Sequence, residues 1–267
     1  MPGRPCCAAL LHTVGYGSIS TRLSTEECYD LWSQVYDSDG NMLQALDTIQ
    51  MQTQLPLAIS AVNPSDQSHG LKAVDLGCGT GRNTLALLDQ ENISSIVGLE
   101  LSSKMMAIAE SSCQRKLSEQ PTLSGVSLVF EVYNMLTSPQ PPASAVNADI
   151  AISTLVLEHV PLESFFPVVS QILKPGGALL LTNMHARMGD ISQAGFVDPR
   201  TGDKIRPTSY AHEIEDVIRV AAENGLLLEG QVVEASVDQN VVEKLGVRGK
   251  KWLGVTVWFG GIWRKRY

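Results

Sequence analysis
The chain has 267 residues, 44% of them hydrophobic and 18% charged, and 28 Asp and Glu against 20 Lys and Arg give a formal net charge of −8. That length and apolar content suit one α/β domain with additions and a sizeable core. The acidic balance argues against nucleic acid as a partner, since phosphate binding needs a basic footprint. No apolar run approaches about 18 residues, so a membrane span is not expected. Five cysteines (Cys6, Cys7, Cys28, Cys78 and Cys113) are scattered and odd in number. They form neither a disulfide framework nor a metal-ligand pattern. Free thiols fit a reducing, cytoplasmic setting, and no metal site is expected.

Residues 1–25 carry Arg4 and Arg22, many small residues and no acid before Glu26. This is the composition of a flexible tail or a transit peptide. Residues 26–267 read as the folded domain. Glu26 to Gln50 is predicted helical, with Tyr29, Trp32, Val35 and Tyr36 on helical spacing. His69 falls in a weakly ordered stretch, as does His12 in the tail. Leu71 to Leu76 is a first strand, Gly81 to Asp89 a helix and Ser95 to Leu101 a second strand. Ser102 caps a helix to about Leu117. Strands follow at Val126 to Tyr133 and Asp149 to Thr154, separated by the proline-rich loop Ser138 to Pro142. Then come a helix at Pro161 to Leu173 and an apolar strand at Ala178 to Met184. A helix at Ser209 to Asn224 and a closing pair of strands, Leu226 to Ser236 and Gly254 to Trp263, complete the pattern. The alternation implies a doubly wound, Rossmann-like sheet.

Asp75-Leu76-Gly77-Cys78-Gly79-Thr80-Gly81 joins the first strand to its helix. Glycines at alternate positions let the backbone approach a ligand. Glu100 ends the next apolar run, where a carboxylate can accept bonds from both ribose hydroxyls. A nicotinamide fingerprint would need glycine or alanine at position 82, where Arg82 stands. Arg82 suits a free carboxylate and Asp75 an ammonium group. A ligand with adenosine, ammonium and carboxylate is S-adenosylmethionine (SAM).

On these residues the chain resembles the class I SAM-dependent methyltransferases, in the broad group that includes ubiquinone-biosynthesis enzymes. Val74 to Gly81 resembles that family's first motif, and Gly98-Leu99-Glu100-Leu101-Ser102 with Met105 its second. Tyr133-Asn134-Met135 resembles the adenine-binding turn, with Asn134 where many members have Asp; its side-chain oxygen can still accept from the adenine amino group. Asp149 to Pro161 and the turn Leu173-Lys174-Pro175-Gly176-Gly177 resemble the later motifs. The resemblance implies a seven-stranded sheet with an antiparallel last strand and an N-terminal helical cap. It also implies cofactor contacts from Tyr36, Asp75, Gly77, Gly79, Gly81, Glu100, Leu101, Asn134, Met135 and Ser153.

Ligands of such sheets bind beyond the carboxyl ends of the strands. His159, His185 and His212 fall there, and neutral imidazole suits proton removal near pH 7. His185 is the first candidate for a general base, then His212, then His159. The segment from about residue 185 to 209, with Gly189, Gly195, Pro199, Gly202 and Pro207, reads as a long irregular lid over the acceptor. Trp252, Trp258 and Trp263 beside the C-terminal basic residues read as strand aromatics with a solvated basic tail. Ser153-Thr154-Leu155-Val156 is not the Asp/Asn-Pro-Pro-aromatic tetrad of exocyclic-amine methyltransferases. The leading expectation is methyl transfer to oxygen or nitrogen of a small organic acceptor. Part of the motif spacing resembles fungal small-molecule, secondary-metabolite enzymes. Peptide or protein methylation, SAM binding without turnover, a pericyclic reaction and nicotinamide chemistry stay open as alternatives.

Overall fold
The computed structural model describes residues 4–5, 23–62, 70–245 and 247–267. The expectations for His12, His69 and most of residues 1–25 lie outside this set. Seven strands form the central sheet: β1 Leu71–Leu76, β2 Ile93–Glu100, β3 Ser127–Val132, β4 Ala148–Thr154, β5 Leu173–Met184, β6 Leu226–Ser236 and β7 Thr256–Lys265. Their order is β3-β2-β1-β4-β5-β7-β6. β7 runs antiparallel to both its neighbours, and the remaining pairs are parallel. The eight α-helices of the described residues are α1 Thr25–Trp32, α2 Met42–Ala61, α3 Arg82–Leu88, α4 Ser103–Glu119, α5 Leu162–Ile172, α6 Ala186–Ile191, α7 Ile214–Glu223 and α8 Gln239–Leu245.

Strand side chains alternate between faces, and both faces are covered. Val74, Leu76, Ala151, Leu179 and Leu181 pack with Phe165, Phe166 and Val169 of α5 and Val217 of α7. Their neighbours Ala73, Ile150, Ile152, Ala178 and Leu180 face Leu55 and Ala58 of α2 and Leu87 of α3. This explains why β4 and β5 read as continuous apolar runs. The strand order reverses between β1 and β4, which opens a crevice at their carboxyl ends.

Four expectations need correction. The predicted helix Glu26 to Gln50 is two helices. Gly40 (φ 70°) turns the chain between them, and the Asn41 side chain accepts from the Leu43 and Gln44 amides to start α2. Leu173 to Gly177 belongs to β5, with Leu173 paired to Ala148, although Gly176 still turns at φ 76°. The predicted helix from Ser209 begins only at Ile214, because Tyr210–Ala211 is extended and pairs with Arg4–Pro5. The segment after His185 is not irregular. It holds α6 and a hairpin of Phe196–Val197 with Lys204–Ile205, whose turn is fixed by the Asp198 carboxylate accepting from the Arg200 amide and guanidinium. Helix α8 and the 3-10 turn Val247–Trp252 were not anticipated.

Candidate active site
Two adjoining cavities open at the crevice. The first, about 100 Å3, is bounded by the glycine turn, Glu100-Leu101, Tyr133 to Leu136 and Thr154 to Val156. The three glycines of the turn all have left-handed backbone, but they differ in surroundings. A Cβ at Gly77 would strike Val156, and one at Gly81 would lie 2.9 Å from Ala109. A Cβ at Gly79 would meet nothing within 4 Å. Gly79 alone therefore has open space over it, as a backbone cradle for a ligand requires.

Glu100 is clamped beside this space. Its Oε2 accepts from the Gly79 amide (2.9 Å) and its Oε1 from the Ser102 amide (2.8 Å). Burial raises its pKa, against the lowering effect of those N–H groups. Each oxygen keeps a lone pair for a hydroxyl donor. Behind the turn, Asp75 Oδ2 accepts from Thr84 Oγ1 (2.6 Å), and burial raises its pKa to about 6. Asp75 Oδ1 is buried with no hydrogen-bond partner. Such an orphaned acceptor fits a ligand donor reaching the strand end.

Seven of the ten sequence candidates line the first cavity: Tyr36, Gly77, Gly79, Glu100, Leu101, Asn134 and Met135. Asp75, Gly81 and Ser153 do not. Gly81 packs on α4, and Ser153 Oγ donates to the Leu76 carbonyl (2.9 Å), tying β4 to β1. The Asn134 oxygen already accepts from the Leu136 amide (2.9 Å). Arg82, expected to meet a ligand carboxylate, instead donates to Asp47 (2.6 Å) and Thr48 (3.0 Å).

The segment around α1 roofs this cavity. Ser102 Oγ donates to Asp30 (2.6 Å), Thr80 Oγ1 donates to Asp37 (2.8 Å), and the Tyr29 hydroxyl meets His159 Nε2 at 2.8 Å. Beyond it lies the second cavity, about 520 Å3, which shares Tyr29, Tyr36 and Leu155 with the first. Leu155 stands at φ 58°, held by a hydrogen bond that its amide donates to the Thr182 carbonyl (2.9 Å). Left-handed backbone costs a non-glycine residue about 1 kcal/mol, and here it sets the Leu155 side chain at the junction of the two spaces.

The histidines are arranged against expectation. His185 lines neither cavity. Its Nδ1 accepts from the Arg187 amide (3.1 Å), capping α6, so Nε2 carries the proton and donates to Glu234 (2.9 Å). No lone pair is left for a base. His212 also lies outside both cavities, with Nε2 donating to the Leu157 and Val160 carbonyls (3.0 Å each). His159 does line the first cavity. Its Nδ1 donates to the Thr208 carbonyl (2.8 Å), which leaves Nε2 to accept from Tyr29. Burial pushes its pKa down to about 4, so it is neutral at pH 7.

Among the titratable groups that line the second cavity is a buried acid, Glu158, which sequence reasoning passed over. It is buried, and its carboxylate accepts only a long bond from the Met184 amide (3.4 Å), with Oε1 3.8 Å from His159 Nε2. Burial raises its pKa to about 8. The available signal was an acid set within the apolar stretch Leu155 to Leu162. Among the described residues, no cluster of three or more His, Cys, Asp or Glu could hold a metal ion, and no helix is long and apolar enough to cross a membrane.

A sheet of this order, with a glycine turn after β1 and a buried acid ending β2, is the arrangement of nucleoside-binding α/β proteins. Residues 74–181 match the methyltransferase domain family. The chain is 45% identical over 258 residues to an uncharacterized methyltransferase of Emericella nidulans, covering 89% of this chain and 90% of that one. The chain therefore belongs to the class I SAM-dependent methyltransferases, and SAM is its cofactor. Two solved structures share the fold. A SAM-dependent methyltransferase from Mesorhizobium loti is 21% identical at a TM-score of 0.55, covering 80% of this chain and 98% of its own. Magnesium protoporphyrin IX methyltransferase from Synechocystis, solved with S-adenosylhomocysteine, is 16% identical at a TM-score of 0.57, covering 89% and 93%.

Proposed function
We propose that this enzyme methylates an oxygen or nitrogen of a small organic acceptor, with the cofactor in the first cavity and the acceptor in the second. The observation that carries the reading is the shared wall of Tyr29, Tyr36 and Leu155, where the two ligands would meet. SAM supplies an activated methyl on a sulfonium, so the protein's work is largely positioning. Glu100 holds the ribose hydroxyls, and the open space over Gly79 lets the cofactor lie against the backbone. Glu158 takes the proton that the acceptor atom loses as its bond to the methyl forms and the sulfur–methyl bond breaks. Its raised pKa brings it nearer that of a phenol or amine than an ordinary carboxylate would be. A volume of about 100 Å3 is small for a nucleoside, since ligand pockets run from about 300 Å3. Entry of the cofactor would therefore require the roof around α1 to lift.

Calorimetry with S-adenosylhomocysteine, with NADH as control, tests the first cavity. The demethylated cofactor is expected to bind and NADH not to. Gly79→Val should weaken binding by about a hundredfold or more, because its Cβ and methyls occupy the cradle and a β-branched residue resists φ 56°. Unchanged affinity in that variant would sink the assignment.

A further inference from the structure
The second cavity carries a charge pattern that methyl transfer alone does not require. Three cationic side chains line it, Lys204, Arg248 and Lys251, and none makes an ion pair among the described residues. Arg248 and Lys251 are exposed and Lys204 half-buried, so they form the rim. The Lys204 pKa is lowered first by burial and then by repulsion from Arg206 and Lys251. Arg206 has a buried Nε without a hydrogen-bond partner. The two acids lining the cavity offset this rim only in part. Asp39, bonded to Trp32 Nε1 (2.8 Å) and the Asn41 amide (2.9 Å), counters one of the three positive charges, and Glu158 is buried with its pKa raised to about 8 by that burial. The excess of positive charge in a cavity of a chain with net charge −8 is the complement of an anionic ligand group.

Between these charges the lining combines aromatic walls with a few polar side chains, Asn41, Ser192 and Gln193. Trp32 and Phe196 stack at 5.2 Å and 15°, and Lys251 Nζ lies 4.7 Å above the buried Trp252 ring. A cavity of about 520 Å3 holds a molecule of two or three fused rings.

The geometry points to an aromatic carboxylate as the acceptor class, its ring system between the aromatic walls, its carboxylate at the Lys204, Arg248 and Lys251 rim, and its methyl-accepting atom toward Glu158. This rests on the proposed assignment of the second cavity to the acceptor. Charge-assisted bonds from a rim of this kind discriminate a carboxylate from its neutral amide by about tenfold.

The matched probes are 2-naphthoate and 2-naphthamide, titrated calorimetrically into the full chain saturated with S-adenosylhomocysteine. Saturation is itself the control: without it the methyltransferase site assignment fails, whatever the probes do. With it, 2-naphthoate is expected to bind about tenfold tighter than 2-naphthamide, and the preference should shrink as salt rises. In the double variant Lys204→Gln, Lys251→Gln the preference should fall below about threefold, with 2-naphthamide affinity nearly unchanged. Arg248→Gln, at an exposed position, should also reduce it, which keeps the test readable if the double variant does not fold. Equal binding of the two probes, binding of neither, or a preference that survives these substitutions would overturn the inference and leave the cofactor assignment standing.

Discussion

Glu158→Gln is expected to make the protein more stable above neutral pH and nearly inactive. The buried carboxyl has its pKa raised to about 8, from the ordinary range near 4.5. In the unfolded chain it ionises through about pH 4.5, while in the folded chain it holds its proton until about pH 8. Between those values the unfolded state gives up the proton first, so stability present at low pH is progressively lost as pH rises toward 8. Above that the loss is constant, at a few kcal/mol. Glutamine cannot ionise and escapes it. Thermal or denaturant unfolding from pH 5.5 to 9 should show the variant gaining on the wild type up to about pH 8 and then running parallel. Parallel curves throughout would contradict the buried, weakly paired environment of Glu158. In turnover the sign is opposite. The wild-type rate should climb with pH through about 8 as the carboxylate forms, and the variant should lose about 10²–10⁴-fold in kcat with cofactor affinity intact. A variant that turns over normally would mean that proximity alone suffices.

Asp47→Ala should be the most damaging change outside the cavities. Asp47 is fully buried in α2 and joins three elements. Its Oδ1 accepts from Thr182 Oγ1 (2.6 Å) on β5 and Trp258 Nε1 (2.8 Å) on β7, and its Oδ2 from the Arg82 guanidinium (2.6 Å) at the start of α3. Alanine leaves a hydroxyl and an indole N–H without an acceptor, and a half-buried cation with only the Thr48 hydroxyl (3.0 Å) and no counter-charge. Losing one partner of a buried ion pair costs about 3–5 kcal/mol. Denaturant unfolding should therefore show a loss of that size. Adding Arg82→Met to Asp47→Ala should recover part of it, because the stranded charge is gone. A loss under about 1 kcal/mol would mean that water replaces Asp47 and that α2 is held by its apolar face alone.

The sheet was legible because burial on both faces leaves apolar runs such as Asp149 to Thr154 and Ala178 to Met184. Gly79 and Glu100 were equally readable as residues of one cavity, since local backbone geometry next to a strand end places both. Reading failed where partners are distant in sequence. Arg82 sits at the right helix start for a ligand carboxylate, yet Asp47, 35 residues away, claims it. His185 lies at the right strand end, but its own Arg187 amide and Glu234 on β6 use both ring nitrogens. Nothing in local spacing reports that a candidate base is already bonded. Glu158 was passed over for the converse reason. It sits beside a histidine in a familiar motif, and only the packing around it shows an acid that lines a cavity with little compensation.

The roof around α1 has a kinetic consequence. Tyr29 and Tyr36 border both cavities, and Asp30, Asp37 and Tyr29 fasten the same segment to Ser102, Thr80 and His159. On the proposed assignment of the two cavities, lifting this segment to release the spent cofactor would also remove a wall of the acceptor's cavity. An acceptor that takes several methyl groups is then expected to leave between turnovers, so singly methylated product should accumulate in solution before any doubly methylated species appears, as a mass-resolved time course would show.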